Sequence, residues 1–479
     1  MDGEMFRKSG YRLVDWIAGY LEGAEKYPVA ARVRPGEIRA QLPEGPPAQG
    51  EPMDRILDDF ERLIVPGLTH WNHPRFFAYF PANHSGPSIL GELLSAGLGV
   101  NAMVWQTSPA ATELEEQMMD WLRRLIGLGE GWKGAIQDTA SSATLCALLC
   151  ARERLSDHQI NQKGFGGLPN SRPLRVYAST QAHSSVEKAA RIGGFGTENL
   201  VKIREDLSWA MDPADLEQRI ISDKENGFKP CCVVATVGTT SSTAMDPLRP
   251  IGEIARRHNL WMHVDAALAG SAAILPEMRW ILDGSELAHS LVFNPHKWLF
   301  TNFDCSAFFC QEPETLIRTF SINPEYLKTD ADQRVTNFRD WGIPLGRRFR
   351  ALKLWFVLRS FGVEGLQQKI RLHLDLAQRF KYWVEESQEF ELLAPVPLQT
   401  VCFRFNPAKD MLPSLSTAEL ERLNLALLQA VNRSGKIFLS HTRLADLLCL
   451  RLSIGQTATE LRHVEEAWQT LRECALGCN

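Results

Sequence analysis

Apolar positions recur at helical spacing near the start of the chain, at Leu13, Trp16, Ile17, Tyr20 and Leu21, and predict a helix over 10–22. A second amphipathic stretch predicts another over 53–64. Between them, Gln41-Leu-Pro-Glu-Gly-Pro-Pro-Ala-Gln-Gly50 suits neither a helix nor a central strand, because proline lacks a backbone donor and fixes φ. From about residue 86 the texture changes. Short β-branched runs at 175–178, 231–237, 260–264 and 290–293 alternate with helical stretches such as 187–192 and 246–257. That alternation predicts a mostly parallel sheet covered on both faces, in which ligands bind outside the C-terminal strand edges. Further on, amphipathic helices are expected over 366–386, 417–434 and 459–476, around the apolar runs 400–403 and 448–452. The expected organisation is a helical segment over 1–85, a large α/β domain over 86–357 and an α+β domain over 358–479. The first segment is too small and interrupted for a core of its own, so it is expected to pack elsewhere, such as on a second subunit.

Composition changes this picture little. A chain of 479 residues, 44% hydrophobic and 23% charged, is ordinary for a globular protein and too long for one compact core. A net charge of -5 argues against a nucleic-acid surface. Apolar runs long enough to span a membrane are lacking, and the acidic start Met1-Asp2-Gly3-Glu4 has no apolar signal region, so a cytoplasmic protein is expected. Ten cysteines without a Cys-x-x-Cys read as buried free thiols, not as a disulfide or zinc framework.

Two strand ends carry the candidate chemistry. Leu260-Trp-Met-His-Val-Asp265 places a carboxylate where an apolar strand finishes, and Leu291-Val-Phe-Asn-Pro-His296-Lys297 places a lysine just past another. Pyridoxal 5'-phosphate (PLP) needs both: an amine to form an imine, and a carboxylate to keep the pyridine nitrogen protonated. Either residue alone is more readily a helix cap or a surface lysine; in this order and setting the pair points to a cofactor site. The phosphate needs a helix N-terminus. Thr139, Ser141 and Ser142 lead into a helix at 143–152 and could cap it, bind phosphate, or both. His183 stands at a strand-to-helix junction, where an imidazole can stack on a cofactor ring or simply cap the helix. Gly129-Glu-Gly131-Trp-Lys-Gly134 spells a dinucleotide fingerprint, but it follows a helix and precedes a strand, the reverse of the required context. His70 and His73 lack metal-ligand spacing and read as loop or pocket residues.

Asn294-Pro-His296-Lys297-Trp298, followed by Asn302-Phe-Asp-Cys-Ser306, resembles the PLP-lysine segment of aromatic L-amino acid decarboxylases, the group II family of DOPA, tyrosine and tryptophan decarboxylases. Similar blocks stand at 70–81, 108–115, 181–185, 263–266 and 343–349, so the likeness runs through nearly the whole chain. It implies a fold-type I PLP enzyme with a seven-stranded sheet, acting as a homodimer with sites at the interface. It implies that Lys297 carries the cofactor, Asp265 pairs with its ring nitrogen, His183 stacks on one face and Ala267 packs on the other. Ala140, Ser141, Asn294 and His296 would surround the phosphate, with Thr240 near the cofactor. Tyr326 matches the tyrosine of the family's catalytic loop and would return a proton to the α-carbon, assisted by His183. That loop's polar run, 328–337, is expected to be flexible on composition.

The resemblance also places Trp71, Tyr79, Pro81 and Ala82 at the substrate, with Ala82 where animal members carry a hydroxyl. Asn101 and Met103 replace apolar and aromatic residues that line a neighbour's pocket, and Gly346 resembles the small residue that leaves room for an indole in plant members. An aromatic L-amino acid is therefore the expected substrate. An aromatic aldehyde synthase is the nearest alternative; in that branch the loop tyrosine or the stacking histidine is usually replaced, and both are present here. A transaminase would need a carboxylate-binding arginine, for which Arg451 is the formal candidate. A non-catalytic dimeric scaffold would not need the intact set.

Overall fold

The computed structural model describes residues 1–167, 172–322, 334–409 and 414–477. A seven-stranded sheet forms the centre, in the order β1-β7-β6-β5-β4-β2-β3. Its strands are β1 (Lys133–Gln137), β2 (Leu174–Ser179), β3 (Leu200–Ile203), β4 (Lys229–Thr236), β5 (Trp261–Asp265), β6 (Ser290–Phe293) and β7 (Ser306–Cys310). β3, β2, β4, β5 and β6 pair in parallel, and β7 runs antiparallel to both β6 and β1. Every residue of β5 and β6 is buried, which is why these strands read as unbroken apolar runs instead of alternating ones. Consecutive residues serve opposite faces: Val233 belongs to one core and Val234 to the other. The helices Ala140–Leu155 and Ser184–Ile192 cover one face, and Leu248–Arg257 covers the other.

A second sheet is wholly antiparallel, in the order β10-β11-β9-β8, formed by β8 (Phe390–Leu392), β9 (Thr400–Phe405), β10 (Ser440–Leu444) and β11 (Leu447–Ser453). Its core, which includes Phe380, Phe403, Leu450 and Leu471, draws on the helices Arg350–Glu386, Thr417–Ser434 and Leu461–Leu476. The expected boundary at 358 falls inside the first of these. That helix is broken at Gly362, whose φ of 64° and ψ of 171° suit glycine alone. Leu358 and Leu366, on either side of the break, both pack in the large sheet's core, and this helix enters the small sheet's core only from Leu376.

The first helix, Gly3–Glu22, starts earlier than its apolar spacing predicts, because the Asp2 carboxylate accepts from the backbone N–H groups of Glu4 and Met5. None of its residues is buried, and Met5, Phe6, Tyr11, Leu13 and Val14 are exposed. The expected helix over 53–64 is α-helical only for Met53–Asp59 and continues as a π-turn over Phe60–Ile64. Helix Gly86–Leu98 lies against Arg350–Glu386, where a Cβ on Gly91 would come within 2.6 Å of the Lys353 Cα. Backbone cannot yield there as a side chain can. Gly91→Ala is therefore expected to cost about 2 kcal/mol, read as a lower urea midpoint; an unchanged midpoint would show slack between the helices. Among the described cysteines eight are buried thiols and Cys474 is partly exposed. Among the described residues no group of side chains could hold a metal ion, and no helix is long and apolar enough to cross a membrane.

Candidate functional site

The parallel strands β4, β5 and β6 end side by side, at Thr236, Asp265 and Phe293. The turns that follow them build a hollow of about 200 Å³ lined by Thr139, Ala140, Ser141, His183, Thr236, Thr240, Asp265, Ala267, Asn294, His296 and Lys297, among others. Asp265 is only 4% exposed, and its Oδ1 accepts from the Ala267 N–H at 3.1 Å. Lys297 sits in the short helix Pro295–Trp298 that follows β6. Its backbone N–H donates to the Asn294 carbonyl at 2.9 Å, and its own carbonyl accepts from Asn83 Nδ2 at 3.1 Å. Burial holds the Lys297 amine below its ordinary pKa; Asp265 opposes that shift and Arg451 adds to it.

Each neighbouring group has a physical reason for its place. Thr139 caps helix Ala140–Leu155, its hydroxyl accepting from the Ser142 N–H at 3.4 Å. The first-turn N–H groups of Ala140 and Ser141 have no carbonyl of their own helix to bond and border the hollow. His183 caps helix Ser184–Ile192, and its Nδ1 accepts from the Ser185 N–H at 3.1 Å, so the ring proton resides on Nε2. Burial lowers the His183 pKa, which keeps the ring neutral. His296 accepts from the Cys305 N–H through Nδ1 at 2.9 Å, and burial pushes its pKa down to about 3. Asn294 Oδ1 accepts from the Ser306 hydroxyl at 2.7 Å.

The hollow opens into an outer cavity of about 390 Å³, which shares Lys297, His183, His296 and Thr240 and is walled by Trp71, Tyr79, Phe80, Pro81 and Ala82. Trp71 stacks on Tyr79 with centroids 5.7 Å apart and planes at 14°. Asn101, Met103 and Gly346 border neither space. Asn101 Oδ1 instead accepts from the Arg347 N–H at 2.9 Å, and Asn101 Nδ2 lies 3.7 Å from the Met103 sulfur. Tyr326 and positions 328–333 of the polar run lie outside the described residues.

Asn83 and Asp246 escaped the sequence reading, and Arg451 entered it only as a formal candidate for binding a carboxylate. Arg451, on β11, is 3% exposed; its Nε donates to the Ser241 carbonyl at 2.8 Å and its Nη1 to the Tyr79 carbonyl at 3.2 Å. Its guanidinium and the Lys297 amine lie 5.0 and 5.3 Å from the centroid of the same Phe80 ring. A charged residue inside the apolar run 448–452 was the available signal. Asn83, in a sequon, is 1% exposed and clamps the Lys297 carbonyl and the Gly455 carbonyl together. Asp246, also buried, accepts from the Met211 and Thr236 N–H groups at 2.7 Å each and ties the base of the turn that carries Thr240.

This donor set fits PLP. An amine of lowered basicity and a buried carboxylate face one hollow, the first-turn N–H groups of Ala140 and Ser141 offer donors to a phosphate, and a neutral imidazole borders the same space. The Thr236 hydroxyl, buried in that lining without a protein partner, is a further polar atom awaiting a ligand.

Comparison with known proteins points the same way. The Pyridoxal-dependent decarboxylase conserved domain matches residues 35–406. Phenylacetaldehyde synthase of Arabidopsis thaliana is 44% identical, across 99% of this chain and 96% of that protein. Tryptophan decarboxylase 2 of Oryza sativa subsp. japonica is 43% identical, across 99% of this chain and 95% of that protein. A crystal structure of Oryza sativa TDC with PLP and tryptamine superposes with a TM-score of 0.95 at 35% identity, over 100% of this chain and 99% of the other.

Proposed function

The chain belongs to the pyridoxal-dependent decarboxylase family, and from that premise we propose that it converts an aromatic L-amino acid to the corresponding amine and carbon dioxide. The carrying observation is the hollow that Lys297 and Asp265 share at the ends of parallel strands, opening on an aromatic-walled cavity. The fold is that of fold-type I PLP enzymes. PLP supplies an aldehyde to join the amine and a ring that accepts the electrons left when carbon dioxide departs. Lys297 holds the cofactor, and Asp265 keeps its ring nitrogen protonated. His183 would stack on the ring with Ala267 packed against it, and Ala140, Ser141, Asn294 and His296 would hold the phosphate beside Thr240. Trp71, Tyr79, Pro81 and Ala82 receive the substrate's aromatic ring. Tyr326, with the Nε2–H of His183 nearby, returns the proton to the α-carbon.

Incubation with DOPA, 5-hydroxytryptophan, tryptophan, tyrosine and phenylalanine tests this reading, with amine, aldehyde and hydrogen peroxide measured together. Amine is the expected main product. Aldehyde with peroxide in its place would establish oxidative chemistry, a reading favoured by the likeness to the Arabidopsis thaliana synthase. A colourless protein that takes up no PLP would mark a scaffold. Tyr326→Phe is expected to lower amine output by about 10²-fold and raise the aldehyde share; unchanged amine output would remove Tyr326 from its role.

The working form is a homodimer. The unburied first helix and the exposed Leu90, Leu93, Leu94 and Leu98 on helix Gly86–Leu98 support this, since a second copy would cover apolar surface that one chain leaves open. Asn101, Met103 and Gly346 then serve the partner's cavity. Light scattering should give twice the mass of 53.9 kDa; a monodisperse monomer with full activity would refute it. A cytoplasmic location accords with the free thiols.

A further inference from the structure

The first helix buries none of its own residues, yet one of its side chains reaches the residues on either side of Trp71, which lines the outer cavity. The Tyr20 hydroxyl lies 2.6 Å from His70 Nδ1 and 2.7 Å from Asn72 Oδ1. Those are the two residues that flank Trp71. We propose that Tyr20 is a positioning residue for the substrate's aromatic ring, its hydroxyl bracketing Trp71 so that the indole stands as a fixed wall of the cavity. This deepens the decarboxylase reading and rests on it.

The proton count makes the bracket specific. A hydroxyl has one hydrogen, and an amide oxygen can only accept, so Tyr20 donates to Asn72 and must accept from His70. His70 therefore carries its proton on Nδ1. Burial holds the His70 pKa below its ordinary value and pushes that of Tyr20 up to about 12, so both rings are neutral and the two bonds persist across the working pH range. His70 is anchored further by its backbone N–H, which donates to the Val29 carbonyl at 2.9 Å, and by its ring, 4.7 Å from that of Tyr27.

Trp71, by contrast, is 40% exposed and is steadied by ring contacts with Phe76 and Tyr79. Ring contacts of this kind tolerate sliding, whereas a pair of hydrogen bonds on either side sets where the indole begins. Tyr20 borders neither the hollow nor the outer cavity, so its effect falls on ring binding and leaves the chemistry at Lys297 alone.

Tyr20→Phe keeps the ring that stacks on Trp16 at 5.2 Å and removes only the hydroxyl. In the holoenzyme, KM for the preferred aromatic amino acid should rise by about fivefold, the effect of one lost neutral hydrogen bond. kcat, the cofactor's absorbance and the melting midpoint should stay near those of the unmodified enzyme. Asn72→Ala, which cuts the other half of the bracket, should raise KM similarly. In a Trp71→Ala background, Tyr20→Phe should add nothing, because the wall it aligns is gone. An unchanged KM in both single variants would overturn the proposal. So would a full fivefold effect persisting without Trp71, or KM, kcat and melting midpoint all worsening together. An unmodified holoenzyme that releases carbon dioxide from no aromatic amino acid would instead sink the underlying reading of the site.

Discussion

Lys297→Ala is expected to fold, to lose covalent hold on PLP, and to release amine about 10³-fold more slowly or worse. The site predicts each part. The side chain ends in a ligand hollow rather than in a packed core, so its removal opens space where the protein already has space. The amine is kept below its ordinary basicity by burial and by Arg451, the condition a lysine needs to act as a nucleophile near neutral pH. Borohydride treatment followed by mass spectrometry reads the outcome: the unmodified chain should gain the cofactor's mass on the peptide containing Lys297, and the variant should gain none. Mass gained at another lysine would move the attachment point. Lys353 is the instructive competitor, being fully buried with its pKa lowered to about 8. It faces Glu92 at 2.8 Å between two helices and borders neither cavity, so a perturbed pKa alone would have nominated the wrong amine.

Asp265→Asn should reduce kcat by about 10³-fold, roughly 4 kcal/mol, the scale of removing one member of a buried charge pair. The substitution preserves shape and the bond from the Ala267 N–H, so the protein should fold and still bind the cofactor, more weakly. In the proposed role, what disappears is the negative charge that would keep the ring nitrogen protonated, and with it the ring's capacity to take up electrons. Carbon dioxide release with saturating PLP is the direct measurement. A loss smaller than tenfold would take Asp265 off the ring nitrogen and turn attention to Asp246, a buried carboxylate close enough to feel its charge, whose own pKa burial raises to about 7.

The parts of this architecture that were readable in the chain are those where one local pattern decides. β6 spans Ser290–Phe293 and a helix spans Thr417–Ser434, each as its spacing predicts, because one is an unbroken buried run and the other an amphipathic stretch between Ser416 and Gly435. Asp265, Lys297 and His183 could be singled out because strand ends and helix starts are where such groups become available to a ligand. Asn83 and Asp246 could not, and Arg451 stood out only as a formal carboxylate-binding candidate. Each acts on residues far away in the chain: Arg451 on the Tyr79 and Ser241 carbonyls, Asn83 on Lys297 and Gly455. Nothing in the immediate neighbours of such a residue encodes its partners. The break at Gly362 was hidden for the opposite reason, since the helical pattern continues unchanged across it.

Arg451 also ties the small sheet to the turn that follows β4. It rises from the small sheet like a rivet, its head fastened to carbonyls from two separate stretches of chain that border the cavity of the large one. Swinging the small sheet away would cost the guanidinium its bond to the Ser241 carbonyl and leave Ser440, on its own sheet, as the acceptor that travels with it. The rivet therefore couples the small sheet to the cavity it borders, so that parting the two breaks a charged hydrogen bond.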